Sequence, residues 1–211
     1  MKLLTIAMAK GRVADEAIQL IERTGLYFPD YHNESRKLLF TDDRKHIKLI
    51  FVKAVDVPTY VEKGAADIGL VGKDVLMEDP KEVYELMDLG IGKCKLSVAG
   101  FVGAEITESS YLSVASKYPN VAKAYFEEMN IRTDIIKLNG SVELAPLIGM
   151  ADVIVDIVET GTTLKENGLT VLADIVDISV KLIVNKASYA IKTDEIQQFM
   201  KHLYAGLEVR I

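Results

Sequence analysis

Residues 152–164 read DVIVDIVETGTTL, a β-branched apolar run that leads into a turn rich in acidic and hydroxyl groups. The run from Asp152 to Val158 predicts a strand that is buried on both faces. Gly161 allows the backbone to turn tightly, and the residues after it predict a short helix that ends near Asn167. A buried strand followed by a tight turn and a helix is the building unit of α/β proteins.

Short apolar runs of the same kind recur along the chain and predict further strands at residues 3–8, 47–52, 67–71, 95–102, 133–138 and 180–184. Helices are predicted between them, at residues 13–24, after Asp56, from Tyr118 and from Thr193. Several of these strands are apolar throughout, which is typical of parallel strands covered by helices on both faces. We therefore expect an α/β fold with largely parallel sheets.

The domain organisation has to be inferred without a linker. No repeat, low-complexity segment or run of proline, glycine and serine divides the 211 residues. A chain of this length forms one domain or two small lobes. Two lobes would be joined by strands that cross between them, near residues 89–92 and near Asp177. We expect a first lobe of residues 1–91, to which residues 178–211 return, and a second lobe of residues 92–177.

Composition excludes several classes of function. The formal net charge is −6 and no run is rich in lysine and arginine, so the basic surface that nucleic-acid binding needs is missing. Cys94 is the single cysteine, and the three histidines have no metal-binding spacing, so we expect neither a disulfide nor a metal held by the protein. Residues 3–9 are too short an apolar run for a signal peptide or a membrane span. These features indicate a cytoplasmic protein that does not bind a membrane.

The turn after the 152–158 strand has the composition of an anion-binding loop. Thr160, Thr162 and Thr163 offer hydroxyl groups, and backbone N–H groups at the turn can donate to phosphate oxygens. Gly161 lets the backbone approach a ligand closely. The loop is neither a Walker sequence nor a Gly-x-Gly-x-x-Gly turn. In an alternative interpretation, Thr160 caps a helix and has no ligand.

Carboxylates flank this loop. Their negative charge is unfavourable for phosphate binding unless a hydrogen-bond donor or a positive charge offsets it. Asp156 and Glu159 would be stabilised by ligand hydroxyls, a metal ion or a developing positive charge, and a sugar phosphate supplies all three. Ser141 is predicted to cap a helix that continues through Pro146, which would bring Glu143 beside the same pocket. The simpler alternatives are that Asp156 ends a strand and that Glu143 is a favourable acid in a first helical turn.

A second group of candidates follows the predicted strands of the first lobe. Residues 10–12 read Lys-Gly-Arg, Lys53 follows the next strand, and Gly-Lys-Asp at 72–74 follows the third. Open α/β sheets bind ligands at the carboxyl ends of their strands. Three strand ends that each carry a cation favour a shared cleft for a phosphate or a purine. In the alternative interpretation, a basic pair such as Lys10 and Arg12 is only solvated surface.

The motifs taken together resemble a known family, the ATP phosphoribosyltransferases that open histidine biosynthesis. The resemblance covers nearly the whole chain. Its blocks lie at residues 9–12, 35–36, 56–58, 64–69, 72–74, 116–119, 138–141, 143, 149, 151–164 and 167–169. The Thr-Gly-x-Thr turn alone is also similar to the turn of unrelated purine phosphoribosyltransferases, so the ordered set of blocks carries the resemblance.

This resemblance implies a two-lobed α/β fold like that of type II periplasmic binding proteins, with a central cleft and both chain ends in the first lobe. Because the chain stops at Ile211, it resembles the short form that lacks a C-terminal regulatory domain. The short form works with a regulatory subunit similar to a histidyl-tRNA synthetase, which implies a homodimer within a hetero-oligomer. The implied cofactor is substrate-bound Mg²⁺.

The implied reaction joins N1 of ATP to the anomeric carbon of phosphoribosyl pyrophosphate, giving N1-(5-phosphoribosyl)-ATP and pyrophosphate. The resemblance assigns a phosphate of the sugar donor to Thr160, Gly161, Thr162 and Thr163. It assigns the ribose hydroxyls and the developing charge to Asp156, Glu159 and Glu143. The nucleotide side is assigned to Lys10, Gly11, Arg12, Arg36, Lys53 and Asp74. Many family members have arginine at the position of Lys53. Lysine keeps the positive charge at this position but lacks the guanidinium that donates two parallel hydrogen bonds to one anion.

Two other functions stay open at this point. The same two-lobed architecture can bind a small molecule without transforming it. An ordinary purine phosphoribosyltransferase would use a free base in place of ATP.

Overall fold

The computed structural model describes residues 3–23, 25–32, 34–44, 46–104, 106 and 111–208. Its strands are β1 (Leu4–Ala9), β2 (Leu39–Thr41), β3 (Ile47–Val52), β4 (Ile68–Gly72), β5 (Val83–Asp88), β6 (Cys94–Phe101), β7 (Tyr111–Ser116), β8 (Arg132–Lys137), β9 (Val153–Val158), β10 (Leu169–Ile178) and β11 (Val180–Asn185). Its helices are α1 (Arg12–Glu22), α2 (Val57–Glu62), α3 (Lys73–Glu78), α4 (Pro119–Glu128), α5 (Leu144–Leu147), α6 (Thr162–Glu166), α7 (Lys186–Ile191) and α8 (Thr193–Glu208).

The chain divides into two compact units. The first contains the described residues of 1–76, 80–92 and 179–211, and the second contains residues 77–79 and the described residues of 93–178. The chain therefore changes units at 92/93 and 178/179, one residue from each of the expected boundaries. The short segment 77–79 was not expected in the second unit.

The first unit is built on a sheet with the strand order β2-β3-β1-β4-β11-β5. One face packs against α1 and α8 through a large apolar cluster that includes Ile18, Phe199 and Leu203. The other face packs against α2, whose Val57 and Val61 are fully buried. The inner strands of this sheet are therefore covered on both sides, as their apolar sequences predict.

The second unit is built on a sheet with the order β10-β6-β9-β7-β8. One face packs against α4, with Phe126 and Val121 in the cluster. The opposite face packs against α5 and α6 through smaller side chains such as Ala145 and Leu164. The strand β9 thus lies in the middle of a covered sheet, and the loop that follows it leaves from the centre of the unit.

The expectation of largely parallel sheets is wrong, because both sheets are mixed. β3, β1 and β4 are parallel neighbours, as are β8, β7 and β9. The strands at the unit crossings run the other way: β6 is antiparallel to β9 and β10, and β11 is antiparallel to β4 and β5. β2 is also antiparallel to β3, because the few residues between them leave no room for the crossover that parallel neighbours require.

A carboxylate from outside the local sequence caps α4. The residue before this helix, Tyr118, provides no side-chain cap. Glu78 instead accepts hydrogen bonds from the backbone N–H groups of Asn120 at 3.0 Å and Val121 at 3.1 Å, and Asn120 Nδ2 donates to the Glu78 carbonyl oxygen at 2.9 Å. These bonds satisfy helix N–H groups that would otherwise lack an acceptor, and they attach the 77–79 segment to the second unit.

Asp67, just before β4, is the most connected buried carboxylate of the first unit among the described contacts. It accepts hydrogen bonds from the backbone N–H of Thr5 at 2.9 Å, from Ser188 Oγ at 2.7 Å and from Lys192 Nζ at 2.8 Å. Its side chain is 9% exposed. The carboxylate thus ties the start of β1 to the segment around α7, near the carboxyl terminus of the described chain.

Gly69 lies in the middle of β4, where the backbone is packed most closely. A Cβ atom there would lie 2.8 Å from Val61 Cγ2, 2.9 Å from Val57 Cγ1 and 2.9 Å from Ile183 Cγ1. We expect Gly69→Ala to lower the free energy of unfolding by about 2 kcal/mol, because these side chains must be displaced from their packing. Urea titration measures this change. Gly140→Ala is the matched control, since a Cβ at Gly140 has no neighbouring atom within 4 Å. An equal loss in both variants would contradict the packing explanation.

Candidate active site

The loop after β9 turns sharply at Gly161. Gly161 has φ 73° and ψ 4°, a left-handed conformation that glycine adopts without strain, and α6 begins at the next residue. The hydroxyl oxygens of Thr160 and Thr162 lie 3.0 Å apart, and the Thr162 N–H donates to Thr160 Oγ1 at 3.4 Å. Thr160, Thr162 and Thr163 are all exposed. Their hydroxyl groups therefore form a compact, solvent-accessible set of donors, which we call the threonine loop (Thr160–Thr163).

This loop borders a cavity of about 280 Å³. The structure brings all seven residues that the sequence placed in the second lobe's site into its lining: Glu143, Asp156, Glu159, Thr160, Gly161, Thr162 and Thr163. The carboxylates come from two segments, since Asp156 and Glu159 belong to β9 and its loop while Glu143 precedes α5. Hydroxyl donors and carboxylates therefore line one cavity, and a phosphorylated sugar would meet both kinds of group.

The predicted cap at Ser141 is wrong. No side chain caps α5, and Ser141 has φ 49°, so its backbone turns in the left-handed region. Its carbonyl oxygen accepts a hydrogen bond from the Leu144 N–H at 3.2 Å. Glu143 nevertheless occupies the helix start, half-buried at the wall of the cavity. The backbone turn at Ser141 therefore leads to Glu143 at the wall of the cavity.

The sequence interpretation missed a row of polar residues on the strands beside β9. Ser97 on β6 pairs with Asp156 on one side and with Asp174 of β10 on the other. Ser97 Oγ donates to Asp174 Oδ1 at 2.9 Å, and Lys95 Nζ donates to Asp174 Oδ2 at 2.5 Å. Alternation along β6 predicts that Lys95 and Ser97 share a face. No local signal identifies Asp174, which is 77 residues away from Ser97.

These missed residues line a second, larger cavity of about 540 Å³. It is bordered by Lys93, Cys94, Lys95, Asp174 and Asp177, and it shares Ser97, Val158, Glu159, Thr160 and Gly161 with the smaller cavity. The two cavities therefore meet along the end of β9 and the first half of the threonine loop.

The contact between Lys95 and Asp174 changes the pKa of both groups. Hydrogen bonding to Asp174 and the negative charges of Asp174 and Asp177 raise the pKa of Lys95. Hydrogen bonds from Lys95 and Ser97 lower the pKa of Asp174 below its usual value. Both directions favour the charged forms, so the ammonium and the carboxylate remain ionised at neutral pH.

The candidates of the first lobe lie in the first unit. Lys10 and Lys53 follow the carboxyl ends of β1 and β3, which are parallel neighbours in register at their last residues. Gly11, with φ 116°, allows the turn into α1, which begins with Arg12. Lys10 Nζ donates to the Ser35 carbonyl oxygen, next to the exposed Arg36, and lies 5.8 Å from the centroid of the Phe51 ring.

The third strand end of this group behaves differently. Lys73 follows β4, and its ammonium forms an ion pair with Glu85 at 2.6 Å. Asp74 folds back over Gly72, where a Cβ atom would lie 2.1 Å from Asp74 Oδ1. Asp74 therefore lies near the carboxyl ends of the strands, where Lys10 also lies. The charge of Lys73 is balanced by Glu85.

Comparison with known proteins identifies the family. The family model for ATP phosphoribosyltransferase (HisG) matches residues 53–205. ATP phosphoribosyltransferases from Oceanobacillus iheyensis and Clostridioides difficile are 56% and 53% identical, over 96% and 95% of this chain and 98% and 97% of their own lengths. The chain belongs to the ATP phosphoribosyltransferase family. The predicted family is thereby confirmed, and with it the class of enzyme, a transferase of glycosyl groups in histidine biosynthesis.

Solved structures agree with the predicted fold. The ATP phosphoribosyl transferase (HisG:HisZ) complex from Thermotoga maritima contains a chain that is 36% identical with a TM-score of 0.85, covering 99% of both chains. The periplasmic aliphatic sulphonate binding protein SsuA from Escherichia coli covers 98% of this chain and 73% of its own at 13% identity, with a TM-score of 0.62. The second likeness concerns the fold alone. The prediction of a two-lobed α/β fold of the type II periplasmic-binding-protein kind is confirmed for this member of the family.

Among the described residues, no group of three or more histidine, cysteine, aspartate and glutamate side chains is arranged to hold a metal ion. None of the helices in that part of the chain combines the length and apolar character needed to cross a membrane.

Proposed function

We propose that this chain performs the reaction of its family at the cavity bordered by the threonine loop, where the phosphoribosyl group of phosphoribosyl pyrophosphate is transferred to N1 of ATP. The products are N1-(5-phosphoribosyl)-ATP and pyrophosphate. The observation that supports this most directly is the union of three carboxylates and the threonine loop around one cavity of about 280 Å³.

The threonine loop has the donors for the 5-phosphate of the sugar. Thr160, Thr162 and Thr163 are exposed and carry hydroxyl groups, and the left-handed Gly161 keeps the backbone free of a side chain where a phosphate would approach. Hydrogen bonds to a charged phosphate contribute about 1.5–3 kcal/mol each, more than bonds between neutral groups. A few such bonds are enough to hold the phosphate in place.

The carboxylates have a role at the anomeric carbon. As pyrophosphate leaves, positive charge develops on the ribosyl ring, and Asp156, Glu159 and Glu143 line the cavity in which that ring would lie. A carboxylate about 4 Å from a full positive charge stabilises it by about 4 kcal/mol at an effective dielectric constant of about 20. The same oxygens accept hydrogen bonds from ribose hydroxyls, so they position the sugar before the bond breaks.

The attacking group comes from the second substrate. Adenine N1 has its own lone pair, so the reaction requires no protein nucleophile, and the protein's contribution is to orient the two substrates. We assign ATP to the first unit, at the carboxyl ends of its parallel strands and the segments beside them. The residues assigned to it are Lys10, Gly11, Arg12, Arg36, Lys53 and Asp74. The cations among them suit a triphosphate.

Magnesium is assigned to the substrate. Mg²⁺ keeps several waters and binds phosphate oxygens readily, so it can enter as the complex with phosphoribosyl pyrophosphate. Bound there, it would supply positive charge to the departing group. The carboxylates of this chain then meet the sugar and the hydrated ion without forming a closed metal cage.

The assembly is proposed from the relatives. The T. maritima structure is a HisG:HisZ complex, and this chain matches the full length of the chain found there. We assign to this chain the short form of the enzyme, a cytoplasmic homodimer that works with a regulatory subunit resembling a histidyl-tRNA synthetase.

The reaction is tested by supplying phosphoribosyl pyrophosphate and Mg²⁺ with either ATP or adenine, with and without the regulatory subunit. We expect pyrophosphate release and N1-(5-phosphoribosyl)-ATP only with ATP, and faster turnover with the subunit. Consumption of adenine would instead indicate a free-base phosphoribosyltransferase. Binding of both substrates without any product in either setting would indicate a binding protein.

The assignment of ATP to the first unit predicts the effect of removing two cations. Lys10→Ala combined with Arg12→Ala should raise the KM for ATP about 10-fold or more, because charge-assisted contacts to phosphate are lost. Steady-state kinetics at saturating phosphoribosyl pyrophosphate measures this change. Lys37→Ala with Arg44→Ala removes two exposed cations of the same unit and should leave the KM unchanged. A wild-type KM in the first variant would refute the assignment.

A further inference from the structure

The connection between α1 and β2 carries Arg36, one of the residues assigned to ATP, and contacts another, Lys10. No helix or strand forms in the described residues of this connection, 25–32 and 34–38. Its position therefore depends on individual contacts. The Ser35 carbonyl oxygen accepts a hydrogen bond from Lys10 Nζ, so the connection and the lysine hold each other.

Tyr31 fastens this connection to the rest of the first unit. Its ring stacks on Phe51 of β3, with the centroids 5.6 Å apart and the planes 15° from parallel, and it meets Phe40 edge-on at 5.3 Å. Both phenylalanine rings are buried. The Tyr31 hydroxyl group donates to Asp15 Oδ1 of α1 at 2.8 Å. One side chain thus joins the connection to a strand and to a helix.

The same Phe51 ring also meets the ammonium of Lys10. Lys10 Nζ lies over this ring, 5.8 Å from its centroid, a distance at which the face of an aromatic ring attracts a cation. Phe51 is therefore shared by Tyr31 and Lys10. The contacts form one continuous series that runs from Asp15 through Tyr31 and Phe51 to Lys10, and from there to Ser35.

Lys10 remains available to a phosphate in spite of these contacts. The residue is exposed, and an ammonium has three donors, of which the Ser35 carbonyl oxygen takes one. A lysine without supporting contacts loses rotamer freedom when it binds a ligand. Because the Phe51 ring and the Ser35 carbonyl oxygen already restrain Lys10, much of that loss has occurred before ATP arrives.

The hydrogen bond between Tyr31 and Asp15 does not switch near neutral pH. Burial, the hydrogen bond to Asp15 and the negative charge of Asp15 all raise the pKa of Tyr31 above its usual value. The phenol therefore stays protonated and continues to donate to Asp15 at neutral and moderately alkaline pH.

We propose that Tyr31 is a positioning residue for the binding of ATP, and that it acts through Phe51 and the Ser35 carbonyl oxygen to fix the ammonium of Lys10. This inference rests on the proposed function, from which it takes the assignment of Lys10 to ATP. In this role Tyr31 need not touch the reacting atoms. Its loss weakens the binding of ATP and leaves the transfer between bound substrates unchanged.

Tyr31→Phe tests this role, because it keeps the ring that stacks on Phe51 and removes the hydroxyl group that donates to Asp15. With the regulatory subunit present, we expect the KM for ATP to rise about fivefold, since Lys10 is then held less firmly. The kcat and the KM for phosphoribosyl pyrophosphate should stay within about twofold of the wild-type values. Asp15→Ala removes the acceptor of the same hydrogen bond and should raise the KM for ATP to a similar extent.

A double-mutant cycle separates this role from a general effect on the fold. If Tyr31 acts through Lys10, Tyr31→Phe should change the KM for ATP by less than about twofold in a chain that already carries Lys10→Ala. An equal rise in both backgrounds would overturn the positioning of Lys10. A KM for ATP within about twofold of the wild-type value in Tyr31→Phe alone would overturn it as well.

The matched control is Tyr84→Phe, which removes a phenol hydroxyl group from another aromatic pair of the first unit. Tyr84 packs against Tyr189 with the ring centroids 5.6 Å apart, and Lys186 Nζ lies 5.7 Å from the centroid of the Tyr84 ring. Its strand, β5, is separated from β1 by β4 and β11. Tyr84→Phe should leave the kcat and both KM values unchanged, and a rise in the KM for ATP equal to that of Tyr31→Phe would overturn the inference.

The outcome also separates this inference from the proposed function. If the unaltered chain with its regulatory subunit forms no N1-(5-phosphoribosyl)-ATP, the proposed function fails and the role of Tyr31 fails with it. If the unaltered chain forms this product and Tyr31→Phe keeps the wild-type KM for ATP, only the role of Tyr31 is overturned.

Discussion

A chain carrying Gly161→Ala together with Thr162→Ala is expected to bind ribose 5-phosphate about 100-fold more weakly and to remain folded. Alanine at the left-handed Gly161 costs about 1 kcal/mol in the loop geometry that the ligand needs. The lost Thr162 hydroxyl removes a bond to a charged phosphate that contributes about 2 kcal/mol. Together these losses approach 3 kcal/mol, which is about two factors of ten in affinity. Calorimetry measures the change.

The matched control for this variant is Gly168→Ala. Gly168 also has a left-handed backbone, with φ 71°, and a Cβ there would have no neighbour within 4 Å. It lies after α6 and outside the lining of both cavities. Gly168→Ala should introduce the same backbone strain and leave the affinity unchanged. Wild-type affinity in the double variant would mean that the threonine loop does not hold the phosphate.

Asp67→Ala is expected to lower the free energy of unfolding by about 4 kcal/mol, the largest stability effect of a single change considered for this chain. The substitution removes the carboxylate that accepts from the Thr5 N–H, the Ser188 hydroxyl and the Lys192 ammonium, and Lys192 keeps its bond to the Leu3 carbonyl oxygen. Removing one partner of a buried ion pair typically costs about 3–5 kcal/mol, and at the 9% exposed Asp67 position water does not replace the lost acceptor. For a chain of this length, such a loss lowers the Tm by about 10 °C. Urea titration and thermal melting measure both quantities.

Asp88→Ala separates the effect of burial from the effect of hydrogen bonding. Asp88 accepts from a similar set of donors: Lys181 Nζ at 2.7 Å, Ser179 Oγ at 2.9 Å and the Gly90 N–H at 2.8 Å. Its side chain is 51% exposed, whereas that of Asp67 is 9% exposed. Water can replace the lost acceptor at Asp88, so we expect a loss of about 1 kcal/mol or less. Equal losses at Asp67 and Asp88 would contradict the role of burial.

The strands that the sequence predicted are those rich in β-branched and other apolar residues. The predicted strand at 47–52 coincides with β3, and 95–102 and 133–138 each lie one residue from β6 and β8. These segments are short, β-branched and bounded by turns, so local sequence identifies them.

The missed strands lie at or near sheet edges or have interrupted patterns. β5 is an edge strand whose exposed residues, such as Tyr84 and Glu85, hide the alternation. β10 also lies at an edge, and its register irregularities around Asp174 break the period of two. An irregular strand is defined by its partner, which a local pattern does not contain.

The candidate site divides in the same way. The threonine loop could be predicted because its donors are adjacent in sequence and its glycine marks the turn. The network of Lys95, Ser97 and Asp174 could not, since it depends on which strands are neighbours in the second unit's sheet. Glu143 lies between these cases: its position at a helix start was expected, while the serine before it proved to form a turn and not a cap.

The Glu78 contact with α4 bears on how the protein can be dissected. A polypeptide of residues 93–178 contains every strand of the second sheet, yet it lacks the carboxylate that accepts the Asn120 and Val121 N–H groups. In the excised lobe, the first turn of α4 would lack this acceptor and would fray. To keep this cap, an excised second lobe needs residues 77–79 as well, supplied as a separate peptide or through a redesigned chain order.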